Sequence, residues 1–506
     1  MLLRSGIIVA FFTLLSRFFG LARELFIAAT FGTTPIADCV NVAFKFPNLF
    51  RRIFAEGALA SVFIPMFSEK LVTSKEAATR FSGKIFILLL LVLIVLTISM
   101  QITMPYLMVI IAPGFFGQGD KYELAVTLCR ITIPYMIFVS IAALFGGMMN
   151  SIRKFAAFAF VPIIMNICII FITPMLAAKY TAHFSIAYAL VIAGILQVVF
   201  MYICLSVAGL NFPLLFRPKD QEVIGLIKNM GPATLSSSTQ QLGMFISQSI
   251  ASFLPGAVSI LSYADRLYQL PLALIGITFG TILLPELSRI YKQKNYEAAN
   301  NLQNKAIIIA LTISVPAMCG LFVLSTPIIH LIYERGHFTH SDTILTADVL
   351  MTFSLGLPAF VLTRILLPIF YANLDTKTPF KITMYSLLLN TVLDIVLMFL
   401  LGPAGIALGS SIAAWFNVWL LNKYAKSYGD FKMTYQTKIF SLKVIFSSFM
   451  MSIFAFISNY YLGHLFYSSN FAIKSASLLG TIAFSIIVFA LFAYFLKIHK
   501  ILFSKL

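Results

Sequence analysis

The sequence predicts an all-α integral membrane protein: about 14 transmembrane helices, in two pseudo-symmetric six-helix lobes plus a C-terminal helix pair. Three observations predict it. The residues are 60% hydrophobic and only 11% charged, with a mean hydropathy of +0.95. The apolar residues come in blocks of about 20 to 30, each long enough to cross ~30 Å of hydrocarbon. Prolines and asparagines recur at a fixed offset of 224 residues.

A soluble chain of 506 residues needs far more polar surface to cover its core. Unpaired backbone groups are not tolerated in lipid, so the blocks are helices rather than open strands. A transmembrane barrel would instead show alternating segments of ~10 residues. The net charge of +18 does not point to nucleic acid, because the cations are spread over short loops and form no continuous patch. Cys39, Cys129, Cys168, Cys204 and Cys319 lie in or beside apolar blocks without a CxxC pair. They read as small buried residues rather than disulfides or metal ligands. The first block is not a typical signal peptide: Arg17 and Arg23 lie inside it, and no small-residue cleavage pattern follows.

In chain order the segments fall near 7–31, 36–67, 85–112, 122–150, 157–179, 184–207, 222–252, 258–288, 304–330, 345–371, 379–401, 404–422, 437–461 and 472–496. The second and eighth exceed a straight span and hold Pro47 and Pro271, where a kink or break is expected.

Loop charge sets the orientation. One set of loops holds Lys70, Lys75, Arg80, Lys84, Arg153, Lys154, Arg217, Lys219, Arg289, Lys292, Lys294, Lys377, Lys423, Lys426 and Lys432, and the tail adds Lys497, Lys500 and Lys505. The alternate loops hold little beyond Lys121, Lys179, Arg335 and Lys474. Positive loops face the cytoplasm, so both termini are expected there.

Pro47 and Pro271, Pro134 and Pro358, and Asn166 and Asn390 are each 224 residues apart. Asn150 and Asn373 fall one residue off. FIPMFSE at 63–69 resembles LLPELSR at 283–289. We read lobes at 1–215 and 216–430 and an added pair at 431–506. Six helices separate the repeats, so they are parallel, and a substrate site is expected between the lobes.

A charge at the bilayer centre costs about 2.5–3.5 kcal/mol on insertion scales, so intramembrane charges line cavities or pair. The first helix carries Arg17, Arg23 and Glu24; the second carries Asp38, Lys45, Arg51, Arg52 and Glu56; the eighth carries Asp265 and Arg266. Arg364 and Asp394 lie in the tenth and eleventh. Arg17 and Glu24 share a helix face, and Arg52 and Glu56 have the spacing of a helical ion pair. Surplus arginine in a cavity implies an anionic substrate, because guanidinium gives bidentate, charge-assisted bonds to phosphate. The blander readings stay open: Arg51, Arg52 and Lys45 snorkel at helix ends, and Asp265 neutralises Arg266.

Asn390 and Asp394 are four apart, and with Ser410 they offer hard oxygens to a small cation. The alternative is a hydrogen-bonded pair between helices. His337 and His340, three apart in an external loop, read as solvated residues. No loop exceeds roughly 20 residues, and there is no GxxxxGK[ST] phosphate loop. These features argue against an enzyme with a soluble catalytic domain.

SRFFGLARELFIAATFG at 16–32 and ADCVNVAFKFPNLFRRIFAEGALASVFIPMFSE at 37–69 resemble the N-terminal signature of the MurJ (MviN) lipid II flippases. SYADRLYQLPLALIGITFGTILLPELSR at 262–289 and YERGHFT at 333–339 extend the likeness over essentially the whole chain. The resemblance implies the two-lobed MOP exporter fold in a bacterial cytoplasmic membrane. The implied substrate is undecaprenyl-pyrophosphate-linked disaccharide-pentapeptide, moved outward by alternating access without bond chemistry. It implies Arg17, Arg23, Arg52 and Arg266 as cavity arginines, Glu24 as the acid beside the second of them, and Asp38 as an essential acid. From their own placement, Glu56 beside Arg52 and Asp265 beside Arg266, these two acids read as structural or coupling residues. Beyond membrane lipids, cell-wall synthesis proteins are the implied partners.

Some members hold Na⁺ at positions matching Asn390, Asp394 and Ser410 and at an acid on the seventh helix. Here that position is Ser247, a departure that weakens the site; apart from Na⁺ as coupling ion, no cofactor is implied. The rivals are a flippase for another polyprenyl-linked oligosaccharide, which would lack FPNLFRRIFAEGA, and a MATE-like antiporter, whose cavity should carry surplus carboxylate. A polyprenyl-phosphate glycosyltransferase would need a catalytic acidic or metal-binding cluster, and a scaffold leaves the buried arginines unexplained.

Overall fold

A computed structural model describes residues 2–50, 60–216, 220–428, 431–468 and 470–498. Among the described residues the regular elements are all helical, as expected where backbone groups must be satisfied within each segment. By packing the chain divides into two compact units, Met1–Val258 and Ser259–Leu506.

The first unit holds α1 (Leu2–Phe31), α2 (Pro35–Phe50), α3 (Ala60–Thr73), α4 (Lys75–Ile111), α5 (Asp120–Thr132), α6 (Tyr135–Ser151), α7 (Phe155–Leu176), α8 (Ala182–Val207) and α9 (Gln221–Ala251). Here α7 packs on α1 and α8, α6 on α8, α2 on α5, and α9 on α3 and α4. Phe63, Phe67 and Phe81 stack in its core beside Phe145 and Met148. Ser74 starts α4 by accepting the Ala77 N–H at 3.0 Å.

The second unit holds α10 (Ala257–Lys292), which begins just before the boundary, then α11 (Tyr296–Val323), α12 (Ser325–Tyr333), α13 (His340–Ser354) and α14 (Leu357–Ala372). It continues with α15 (Lys377–Leu401), α16 (Pro403–Ala425), α17 (Tyr435–Phe466) and α18 (Phe471–Phe495). The hairpins α15–α16 and α17–α18 pack closely, α16 also covers α13 and α14, and α17 lies on α11. Gly405 and Gly409 explain the first hairpin. A Cβ at Gly405 would sit 2.0 Å from the Leu397 carbonyl oxygen, so the small-xxx-small spacing lets the α16 backbone meet α15.

Among the described residues, ten stretches are long and apolar enough to cross a membrane; the end-to-end pairs α5–α6 and α13–α14 each make one. All ten coincide with expected segments. The four other expected segments correspond to α1, α2–α3, α9 and α10, and three of these carry most of the predicted intramembrane charges. Both Pro47 and Pro271 fall inside helices, and α10 runs through Pro271 without a break. The element order of 2–207 recurs over 221–425: α1 as α9, α2–α3 as α10, α4 as α11–α12, and α5 to α8 as α13 to α16. In packing, however, α9 sides with the first unit.

Candidate functional site: buried charges in two helical units

On α1, Arg23 and Glu24 are both buried. Arg23 Nη2 donates to Glu24 Oε1 at 2.6 Å, so the charges offset one another in a setting where either alone would be costly. The guanidinium also lies over the Phe44 ring of α2, 5.9 Å from its centroid, within cation–π range. Arg23 Nε is buried without a hydrogen-bond partner among the described residues. Arg17 is half-buried one turn and a half earlier on α1. Beside it, Asn166 on α7 donates to the Ser16 carbonyl at 3.3 Å. One of the repeated asparagines thereby ties α1 to α7.

Asp38 is the acid implied for the second helix. It is fully buried in the first turn of α2. Its Oδ2 accepts from Lys121 Nζ at 3.1 Å and from the Gly256 N–H at 2.9 Å. Lys121 is therefore no loop charge: it lies in α5, buried, with its ammonium 4.1 Å from the Phe115 ring centroid. Gly256 has φ +73, and a Cβ there would stand 2.5 Å from the Thr33 carbonyl oxygen, so no other residue fits without strain. Nearby, Ser252 Oγ accepts the Gly114 N–H at 2.9 Å and Ser249 donates to the Ile111 carbonyl at 3.0 Å. One end of the first unit is thus tied by α2, α5, the turn after α4 and the turn after α9. Sequence reasoning missed Lys121 and Gly256 as partners of Asp38, since they lie 83 and 218 residues away.

The opposite end of α9 is tied too. Lys84 Nζ lies 2.5 Å from Asp220 Oδ2 and 3.0 Å from Glu222 Oε2, and Lys70 pairs with Glu222. In the sequence these lysines look only like orienting loop charges.

In the second unit Asp265 and Arg266 are half-buried on α10. Asp265 Oδ2 accepts from Gln269 Nε2, one turn on. An aromatic platform seats this stretch. Tyr263, Tyr333 and Phe338 are among the largest fully buried side chains, their rings 5.3 to 5.8 Å apart, and Tyr333 OH donates to the Tyr263 carbonyl at 3.3 Å. The motifs SYADRL and YERGHFT therefore pack together. Tyr268 stacks on Phe353, 5.6 Å between centroids. Arg364 is exposed on α14, within a stretch long and apolar enough to span a membrane.

Asn390 and Asp394 are buried on α15, and Asn390 Nδ2 donates to Asp394 Oδ2 at 3.0 Å. Gly409 of α16 abuts the carboxylate: a Cβ there would lie 2.6 Å from Asp394 Oδ1. Ser410 is half-buried on α16. Ser247 belongs to α9 in the other unit, half-buried. Asn390 and Asp394 thus form one buried hydrogen-bonded pair on α15, with the α16 backbone drawn against the carboxylate at Gly409.

The five cysteines are free, three buried and two half-buried, as expected. His337 is exposed, as expected of a loop residue. His340 is exposed as well, but sits beside His330 and Glu334. Arg51, Arg52 and Glu56 lie outside the described residues.

Comparison with known proteins places these features in a family. The model of the family described as "Lipid II flippase MurJ" matches residues 27–476. A probable lipid II flippase MurJ of Rickettsia prowazekii (strain Madrid E) is 54% identical over 498 residues, covering 98% of each chain. One from Rhizobium tropici is 40% identical, covering 82% of this chain and 79% of its own. A solved structure of lipid II flippase MurJ in an inward closed conformation superposes with TM-score 0.81 at 29% identity, over 97% of this chain and 99% of that one. An inward-facing MATE transporter of the MOP superfamily shares the fold, with TM-score 0.68 at 15% identity and coverage of 86% and 99%. With its family model spanning most of the sequence and relatives matched nearly end to end, the chain belongs to the MurJ lipid II flippase family, a family of multi-pass membrane proteins.

Proposed function

We propose that this protein moves lipid II, the undecaprenyl-pyrophosphate-linked peptidoglycan precursor, from the inner to the outer leaflet of the cytoplasmic membrane by alternating access. Family membership supports the substrate. One observation carries the anion-binding part: a buried Arg23 guanidinium that gives one of its five N–H donors to Glu24. A pyrophosphate can compete for such a group through bidentate, charge-assisted bonds. Arg17, Arg52 and Arg266 act with it, Glu24 and Asp265 hold the arginines when substrate is absent, and Glu56 pairs with Arg52. Asp38 acts through Lys121 and Gly256, by fixing one end of the first unit.

The reading includes 14 transmembrane helices in lobes 1–215 and 216–430 with a pair at 431–506. The recurrent order of α1–α8 and α9–α16 supports the duplication. Lys and Arg asymmetry supports cytoplasmic termini. No bond is made or broken, so the free energy comes from ion gradients, membrane potential or removal of product outside. At ~2.3 kcal/mol per charge per 100 mV, the potential suffices to bias the cycle. Asn390, Asp394 and Ser410 would hold Na⁺, which would supply positive charge beside Asp394 and so couple to a gradient. Partners are lipid II, membrane lipids and cell-wall synthesis proteins.

Arg23→Ala is expected to abolish rescue of a flippase-depleted cell while protein remains in the membrane at normal level. Full rescue by that variant would remove Arg23 from the substrate path.

A further inference from the structure

We propose that His330, Glu334 and His340 form a transition-metal site of the Zn²⁺ class that clasps the turn between α12 and α13. The three residues offer one nitrogen or oxygen each, and these atoms all lie within 4.8 Å of one another. His330 Nδ1 is 2.7 Å from Glu334 Oε2, and His340 Nδ1 is 3.2 Å from the same oxygen. Zinc bonds of ~2.0–2.1 Å at tetrahedral angles place donor atoms about 3.3 Å apart. The cluster thus stands within side-chain adjustment of that geometry.

Two further features point to a ligand rather than to a simple ion pair. His330 is nine-tenths buried, with 9% of its surface exposed. Its Nδ1 is paired with Glu334 at 2.7 Å, and its Nε2 is buried without a hydrogen-bond partner among the described residues. A buried imidazole left so costs stability. The carboxylate, by contrast, is oriented from behind: Thr343 Oγ1 donates to Glu334 Oε2 at 2.6 Å, the kind of outer contact that aims a metal ligand.

The donor chemistry selects the ion. Two imidazoles and one carboxylate suit Zn²⁺, Cu²⁺ or Ni²⁺, whereas Na⁺, Mg²⁺ and Ca²⁺ prefer all-oxygen sets. The His340 side chain is 60% exposed, so solvent can reach the site and supply a fourth ligand. The local fold presents the ligands on two rigid pieces. His330 and Glu334 lie one turn apart at the end of α12. His340 opens α13, whose start is fixed by a reciprocal capping box between Thr339 and Asp342. Gly336, at φ +60, reverses the chain between them. Tyr467, after α17, covers the cluster with its ring centroid 4.9 Å from that of His330. A bound ion would therefore staple α12 to α13 next in the chain to Tyr333 and Phe338, which pack on Tyr263 of α10.

The test uses full-length protein purified without a polyhistidine tag, stripped with EDTA and titrated with ZnCl₂ against a chromophoric chelator. One Zn²⁺ per chain should bind, and the unfolding midpoint should rise with it. His340→Ala and Glu334→Gln should each weaken binding about tenfold or more and remove the rise. His337→Ala, altering an exposed neighbour outside the cluster, should change neither. Metal-free unfolding of each variant verifies that it is folded. Absence of Zn²⁺ binding to the wild type, or equal binding by the wild type and both folded ligand variants, would overturn the site.

Discussion

Asp38 shows how a residue's chemistry depends on partners that its own neighbourhood does not reveal. A carboxylate alone in an apolar helix is expensive, and its presence in a membrane segment suggests a functional cavity. Its partners include an ammonium on α5 and a backbone amide after α9. Removing one member of a buried pair strands the other and costs about 3–5 kcal/mol. Lys121→Met should therefore lower the unfolding midpoint clearly, while Lys179→Met, at an exposed lysine, should leave it nearly unchanged. Equal midpoints for the two variants would contradict the buried pair. Arg23 and Glu24 were legible in the sequence, because adjacent opposite charges inside an apolar block must be buried together or face a cavity. Lys121 was not: its position beside a loop made it look like an orienting charge. His330 was hidden for the same reason, since no periodicity marks a cluster built across a turn.

Among the elements, α9 is the one whose setting the sequence foretold least. The repeat makes it the counterpart of α1, yet it packs on α3 and α4. Ion pairs near its start and hydroxyl contacts near its end explain this, and both depend on residues more than 130 positions away. Lys84 with Asp220 is the pair to probe. Their side chains are 14% and 18% exposed, so solvent screens them only in part. A double-mutant cycle with Lys84→Ala and Asp220→Ala, read by unfolding in detergent, should give a coupling of about 0.5–1.5 kcal/mol. Strict additivity would mean that the pair does not hold α9 in place. The α15–α16 hairpin was more readable. GIALG at 405–409 carries the spacing of small residues that close helix contacts require, and Asn390 and Asp394 share one face at four apart. What spacing could not tell is that Gly409 stands against the carboxylate itself.

For the whole molecule, composition and block length were enough to predict a many-helix membrane protein, because backbone in lipid has few other solutions. Part of the order of elements was legible through the 224-residue offset, since Pro134 and Pro358 stand at the starts of α6 and α14. Unit composition was not, because packing of α9 follows from side-chain pairs at its two ends rather than from any repeat. The substrate was legible only through long motifs: buried arginines imply an anion, while FPNLFRRIFAEGA and its companions imply which one. The central claim, outward movement of lipid II, is tested most directly by following lipid II between leaflets in cells depleted of this protein and lacking any redundant flippase. Depletion should hold lipid II on the inner leaflet, and re-expression should restore its appearance outside. Unchanged outward appearance of lipid II during depletion would contradict the assigned function.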